Sequence, residues 1–306
     1  MTKNKINGWL IIDKPYQMGS TSVVGKLKWL LKPEKIGHAG TLDPLATGVL
    51  PIALGSATKT IPFVMDGQKT YVFEVSWGIQ TTTDDQEGII EYQSDKRPSY
   101  SEIERILPEF IGTVLQMPPK YSALKLNGKR AYHLARTGQV VDLKPRLVQI
   151  DSLHIISHTR DKTVFEVVCG KGTYVRSIGR DLGQKLGCFG YITSLRRIKC
   201  GPFDINMSIL LENFEKDCYS ECALHLISPL TALDDIWVLA VDDKDKKALL
   251  NGQPIVFSAE KITDTPSVPS LTINNGTVVG LKWEQQLCAL AKYENGLLKP
   301  FRVFVD

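Results

Sequence analysis

Residues 37–50 read Gly-His-Ala-Gly-Thr-Leu-Asp-Pro-Leu-Ala-Thr-Gly-Val-Leu, so three glycines and a proline crowd one histidine, His38, and one aspartate, Asp43. Glycine permits close backbone approach and unusual dihedrals. Pro44 pushes Asp43 out of helical geometry. The carboxylate is therefore expected on a stiff turn and not on a regular element. An acid so placed is either a structural Asx-type turn or a group aimed at an electrophilic carbon, which it can attack or whose positive charge it can stabilise. These residues alone leave both readings open.

Other chemistries find little support. Neither a G-x-x-x-x-G-K-[ST] loop nor a G-x-G-x-x-G fingerprint occurs, which argues against nucleotide hydrolysis and dinucleotide chemistry. The six cysteines, Cys169, Cys188, Cys200, Cys218, Cys222 and Cys288, form no C-x-x-C pair and are expected as buried thiols. His154 and His158 lie four apart without partners at metal-ligand spacing, so they are read as surface residues and no metal site is expected.

The charge is unevenly spread. Residues 201–306 hold 9 Lys/Arg and 15 Asp/Glu, whereas residues 1–200 hold 28 and 18, a net of +10. A basic lobe suits a polyanionic partner through steering and counterion release. Two segments concentrate it: Lys120–Gln149 and Lys171–Lys199 each carry seven basic residues against one acid, Asp142 and Asp181 respectively. Hydrophobic residues make up 43% of the 306, enough for a sizeable core. No apolar run approaches the ~20 residues that cross a bilayer. The first residues lack the apolar stretch of a secretory signal. A soluble, cytoplasmic protein of one large and one small domain is expected.

Several elements must position these residues. Gly8–Asp13 reads as a buried strand ending at Lys14-Pro15. Ser20 or Thr21 should cap a helix through Leu31, with Val23, Val24, Leu27, Leu30 and Leu31 inward and Pro33 closing it. Tyr71, Phe73, Val75 and Trp77 share one face of an alternating strand. Ser101-x-x-Glu104 suggests a capping box opening a short helix toward Ile111. The polar, Gly- and Pro-punctuated stretch of about 118–146 reads as a projecting insertion. Leu147–Ile156 and Thr163–Cys169 read as strands, and Tyr174, Ile178, Leu182 and Leu186 mark a helix ended by Gly183 and Gly187. A boundary falls between about Asn213 and Ile236, followed by a helix at Asp243–Leu250, a turn at Asn251-Gly252 and several strands. The expected domains are 1–235 and 236–306.

The segment around Asp43 resembles the catalytic motif of the TruB-type tRNA pseudouridine-55 synthases. The likeness begins at Ile12-Asp13-Lys14-Pro15 and continues through Leu54-Gly55-Ser56-Ala57-Thr58-Lys59, Lys69-Thr70-Tyr71 and Pro118–Lys125. Gly128–Tyr132, Ala135–Gly138, Lys171–Ser177 and Ser194–Arg197 follow in order. About two-thirds of the chain is covered, and such ordered agreement is specific.

The resemblance implies that Asp43 is the catalytic aspartate. The C1′–N1 bond of a uridine must break, the base must turn, and C5 must bond to C1′. No step consumes an electron or a phosphate, so no cofactor is expected. Whether the carboxylate attacks sugar or base, or acts through a glycal, stays open. Tyr71 matches the active-site tyrosine, whose ring can stack on uracil and whose hydroxyl can move a proton. Arg176 matches an arginine that keeps the aspartate ionised and aimed. Tyr174 and Leu195 match positions lining the uracil pocket, and Lys14 shapes the cleft floor. His38 matches the histidine beside a nucleotide flipped out of its stack, a step costing a few kcal/mol.

The insertion matches a loop that closes over the tRNA T stem-loop, with Lys120, Lys125, Lys129, Arg130, Arg136 and Arg146 expected on phosphates and Tyr121, Tyr132 and His133 available for stacking. The C-terminal part resembles a small PUA-type barrel, although its acidity speaks against tight RNA binding there. The fold implied is α+β: a mixed, largely antiparallel sheet with flanking helices, then the barrel. The expected enzyme is a monomer with no membrane association and no obligatory protein partner. A guide-dependent, dyskerin-type synthase is an alternative, which the basic insertion disfavours. A tRNA-folding chaperone is another, separable by comparing refolding with product formation in Asp43→Asn.

Overall fold

The computed structural model describes residues 3–122, 125–126, 129–130, 143–214, 219–266 and 272–304. By its internal contacts the chain divides into two units. The first holds residues 1–44, 48–67 and 200–306, and the second holds 45–47 and 68–199.

The first unit begins with β1 (Gly8–Lys14), α1 (Ser20–Leu31), β2 (Ile36–His38), β3 (Thr47–Leu54) and α2 (Ile61–Asp66). β1 runs antiparallel to β3, from Gly8 opposite Leu54 to Lys14 opposite Gly48. β2 lies antiparallel on the other side of β3, and residues Ile209–Leu210 run parallel to β1. β1 is buried almost throughout, which explains its continuous apolar run in place of alternation. Trp9, Ile11, Val49, Ala53 and Phe203 pack into one core.

Helix α1 spans the expected residues, and Val23, Leu27 and Leu31 face inward. Its start differs from expectation. Gly19 is the N-cap, so Ser20 and Thr21 lie inside the helix and do not cap it, and the Ser20 hydroxyl bonds Leu42.

The second unit contains β4 (Lys69–Trp77), β5 (Ile79–Thr81), β6 (Ile90–Gln93), α3 (Tyr100–Ile106), β7 (Gly112–Gln116), β8 (Lys125–Leu126), β9 (Lys129–Arg130), β10 (Arg146–His158), β11 (Lys162–Cys169), α4 (Val175–Lys185) and β12 (Gly190–Cys200). Strands β12, β4, β11, β10 and β7 lie side by side in that order, and the β4–β11–β10–β7 pairs are antiparallel. The alternation in β4 delivers Phe73, Val75 and Trp77 to a core shared with Phe165, Val167, Ile103, Ile178 and Leu182. Phe73 and Phe165 are cross-strand partners whose rings stack at 5.3 Å.

The capping box that opens α3 is Ser99 with Glu102, two residues before the expected pair. Both spacings fit the pattern, and the earlier one puts Ile103 and Ile106 on the buried side. Gly183 does not end α4 but lies inside it. A Cβ there would stand 2.3 Å from the backbone nitrogen of Gly190, so the glycine permits close packing of the helix against the chain beyond it. Gly187, at φ +65°, is past the helix end as expected.

After Ile236 comes a six-stranded sheet in the order 255–256, 297–303, 286–294, 278–283, 237–240 and 262–264. Trp237–Ala240 runs parallel to Val278–Trp283, and the other pairs are antiparallel. Leu239, Leu249, Val279, Leu281 and Ala289 fill its core, in keeping with the expected PUA-like module. Helix Asp243–Leu250 stands where its sequence placed it. Among the described residues no helix is long and apolar enough to cross a membrane.

Candidate active site

The turn that carries Asp43 is built from both sides. Gly40 and Gly48 adopt φ of +92° and +98°, a region that favours glycine, and so bracket the bend. Before the bend, the Ala39 amide donates to the Pro51 carbonyl at 2.9 Å, and the Cys200 thiol approaches the Ala39 carbonyl at 3.6 Å. His38 ends β2 opposite Ile52 and is half-buried.

Each residue flanking Asp43 is tied down separately. The Ser20 hydroxyl donates to the Leu42 carbonyl at 3.0 Å and accepts the Leu42 amide at 2.8 Å. On the other side, Lys14 is fully buried and its ammonium donates to the carbonyls of Pro15 (2.9 Å), Met18 (2.6 Å) and Pro44 (3.1 Å). A buried ammonium is costly unless it is hydrogen-bonded, and here it becomes the knot joining the end of β1 to the Asp43 turn. Asp43 itself is half-buried.

The second unit gathers the other named residues. Tyr71 lies on β4 opposite Val167, and both Tyr71 and Leu195 pack at the margin of the main core. Tyr174 is the N-cap of α4. Its backbone is gripped by the buried Gln116, whose carboxamide accepts the Tyr174 amide at 2.8 Å and donates to its carbonyl at 3.1 Å.

Arg176, on the first turn of α4, is nearly buried. It donates to the carbonyls of Thr83 and Tyr121, each at 2.9 Å, and stands 3.4 Å from the Asp85 carboxylate. Arg180, one turn on, pairs with Asp84 at 3.1 Å and Asp181 at 2.8 Å and donates to the Met117 carbonyl at 2.7 Å. The Ser177 hydroxyl donates to the same carbonyl at 2.8 Å. One face of α4 thus clamps the chain at Met117 and Tyr121, on either side of the start of the basic segment. Burial pushes the Asp84 carboxyl up to about 6, although Arg180 and Arg176 pull the other way. Burial also raises the Asp181 carboxyl.

The sequence reading missed Ser20 as a holder of the turn, along with Gln116, Asp84 and Asp85. A signal for the last two was present. Two arginines four apart on an otherwise inward helix face need carboxylates, and the Asp84-Asp85 doublet supplies them.

Of the expected RNA contacts, Lys120 is exposed and pairs with Glu91 at 3.2 Å. Arg146 is exposed at the start of β10. Lys125, Lys129 and Arg130 fall on the short β8–β9 hairpin. Arg136, Tyr132 and His133 lie outside the described residues. The five described cysteines are all buried and none is in a disulfide, and burial pushes the Cys169 and Cys188 thiols up to about 11. His154 is exposed and His158 contacts Thr163 at 2.8 Å. Among the described residues no group of three or more His, Cys, Asp or Glu is arranged to hold a metal ion.

Comparison with known proteins decides the family. Residues 28–175 match the N-terminal domain model of TruB family pseudouridylate synthases, and residues 176–235 match the tRNA pseudouridylate synthase B C-terminal domain. The tRNA pseudouridine synthase B of Bartonella tribocorum is 43% identical over 98% of this chain and 96% of its own length. That of Rhodopseudomonas palustris is 47% identical over 99% of this chain and 82% of its own. The chain belongs to the TruB family of pseudouridine synthases. The crystal structure of a Cbf5-Nop10-Gar1 complex contains a chain with the same fold, at TM-score 0.72 and 23% identity, covering 97% of this chain and 85% of that one. The TruB-family chain is therefore an isomerase with the pseudouridine synthase fold, as its sequence motifs implied.

Proposed function

We propose that this enzyme isomerises uridine 55 in the T arm of tRNA to pseudouridine, with Asp43 as the catalytic carboxylate. Family membership supports the coarser part, isomerisation of a tRNA uridine. The observation that supports the Asp43 assignment is the construction of its turn. Both neighbours of Asp43 are anchored by buried side chains, while Asp43 itself keeps solvent access.

The flipped uridine would bring C1′ to that carboxylate, which attacks it or stabilises the positive charge left as the glycosidic bond opens. Tyr71 would stack on the uracil and relay a proton. Arg176 would supply the positive charge that keeps the aspartate ionised, and its own ion pair with Asp85 fixes the guanidinium. Tyr174 and Leu195 would line the uracil pocket, His38 would stand beside the vacated stack, and Lys14 would hold the floor. The basic segment with Lys120, Lys125, Lys129, Arg130, Arg136 and Arg146 would close on T-arm phosphates. Residues 236–306 would form a separate PUA-like module of lesser weight in binding. The enzyme would act as a monomer on cytoplasmic tRNA.

Position is tested with two tRNA transcripts, one natural and one with cytidine at position 55. Pseudouridine mapped at 55 in the first and at no site in the second is the expected result. Equal product from both would overturn the assignment.

A further inference from the structure

We propose that Ser20 is a positioning residue for catalysis, setting the aim of the Asp43 carboxylate through Leu42; the inference rests on Asp43 being the catalytic group. Two observations carry it. The hydroxyl of Ser20 is 2% exposed and makes a reciprocal pair of hydrogen bonds with one residue, accepting from the amide of Leu42 and donating to its carbonyl. Serine and threonine are the small side chains with one oxygen that does both. The hydroxyl at the start of α1 thus holds a peptide unit 22 residues away. Finally, Leu42 is buried in an irregular bend, and on the far side of Asp43 the Pro44 carbonyl is already held by Lys14.

Asp43 thus sits between two anchored residues, with its own backbone further restricted by the following proline. Little backbone freedom remains at Asp43. Removing the Ser20 bonds would release one anchor while leaving the carboxylate, the RNA-binding groups and the core in place. The consequence falls on alignment of the attacking oxygen and not on affinity, and misalignment by about 1 Å can cost on the order of 100-fold in rate.

The test uses the full-length enzyme with Ser20→Ala and with Ser20→Cys, which keeps the volume but bonds weakly. A T-arm stem-loop is the substrate. The expected result is a kcat lowered on the order of 10- to 100-fold with KM within about twofold of wild type, and circular dichroism unchanged at the assay temperature. If Ser20→Ala does not fold, Ser20→Cys carries the measurement. A folded Ser20→Cys with wild-type kcat would overturn the proposal. So would a kcat that falls only in proportion to the folded fraction, or a loss expressed in KM alone. Failure of the functional reading looks different: wild type would then form no pseudouridine at position 55, or Asp43→Asn would form it normally.

Discussion

The ammonium of Lys14, the last residue of β1, donates to the carbonyl of Pro44 at 3.1 Å and so ties a core strand to the residue that follows Asp43. Two further carbonyls, of Pro15 and Met18, also accept from it. In Lys14→Met the apolar stem survives, but three inward carbonyls lose their donor. Unmet buried acceptors cost about 1–3 kcal/mol each, reduced where water enters, so a loss of roughly 3 kcal/mol is expected. Thermal unfolding followed by circular dichroism checks it: the midpoint should fall by about 5 °C or more. An unshifted midpoint would show that the ammonium contributes nothing net.

Asp84 provides a pH signature. Its carboxyl is raised from 3.8 to about 6 in the folded chain, chiefly by burial. The folded state therefore binds this proton more tightly than the unfolded state does. The stabilisation from protonation is fully present below 3.8 and is lost as pH rises through about 6. Wild type minus Asp84→Asn should accordingly lose on the order of 2–3 kcal/mol of stability between pH 4 and 6, and stay flat above 7. Urea unfolding of both proteins across that range measures the difference. A flat difference, or one that rises with pH, would mean that the Arg180 pairing outweighs burial.

How much of this was legible in the sequence depended on the range of each interaction. The alternation of Tyr71, Phe73, Val75 and Trp77 announced β4 because a strand face repeats every second residue. The four-residue spacing of Tyr174, Ile178 and Leu182 announced α4 for the corresponding reason. The Asp43 bend was legible because glycines and a proline leave few backbone choices. Ser20 was misread as a cap because local rules weigh only nearby amides, whereas its partner lies 22 residues on. The Arg180–Asp84 pair spans 96 residues and follows from no local pattern. Gly183 looked like a helix end until its close neighbour at Gly190 was visible.

Tyr71 separates stacking from proton transfer. Its strand is fixed by ladder bonds to β11, so Tyr71→Phe should leave the ring in place and remove only the hydroxyl. Single-turnover rates are expected to fall on the order of 100-fold, with the dissociation constant for a T-arm stem-loop changed less than about threefold. A wild-type rate in the variant would confine Tyr71 to stacking.

If the basic segments act through phosphates as proposed, RNA affinity should depend steeply on salt. Filter binding of tRNA between 50 and 200 mM salt is expected to show a loss of about 1000-fold or more if six phosphates are neutralised. Lys129→Ala and Arg136→Ala should each lower the slope of log K against log salt by about one, and weaken all tRNA sequences alike. A slope near zero would remove the basic segments from the binding surface.

The most direct test of the catalytic assignment is tritium release from 5-tritiated uridine in a T-arm stem-loop, with wild type beside Asp43→Asn. The substitution keeps the side chain's shape and the anchored turn, so binding of the stem-loop should persist while tritium release is almost completely lost. Release by Asp43→Asn at the wild-type rate would contradict the role given to this carboxylate.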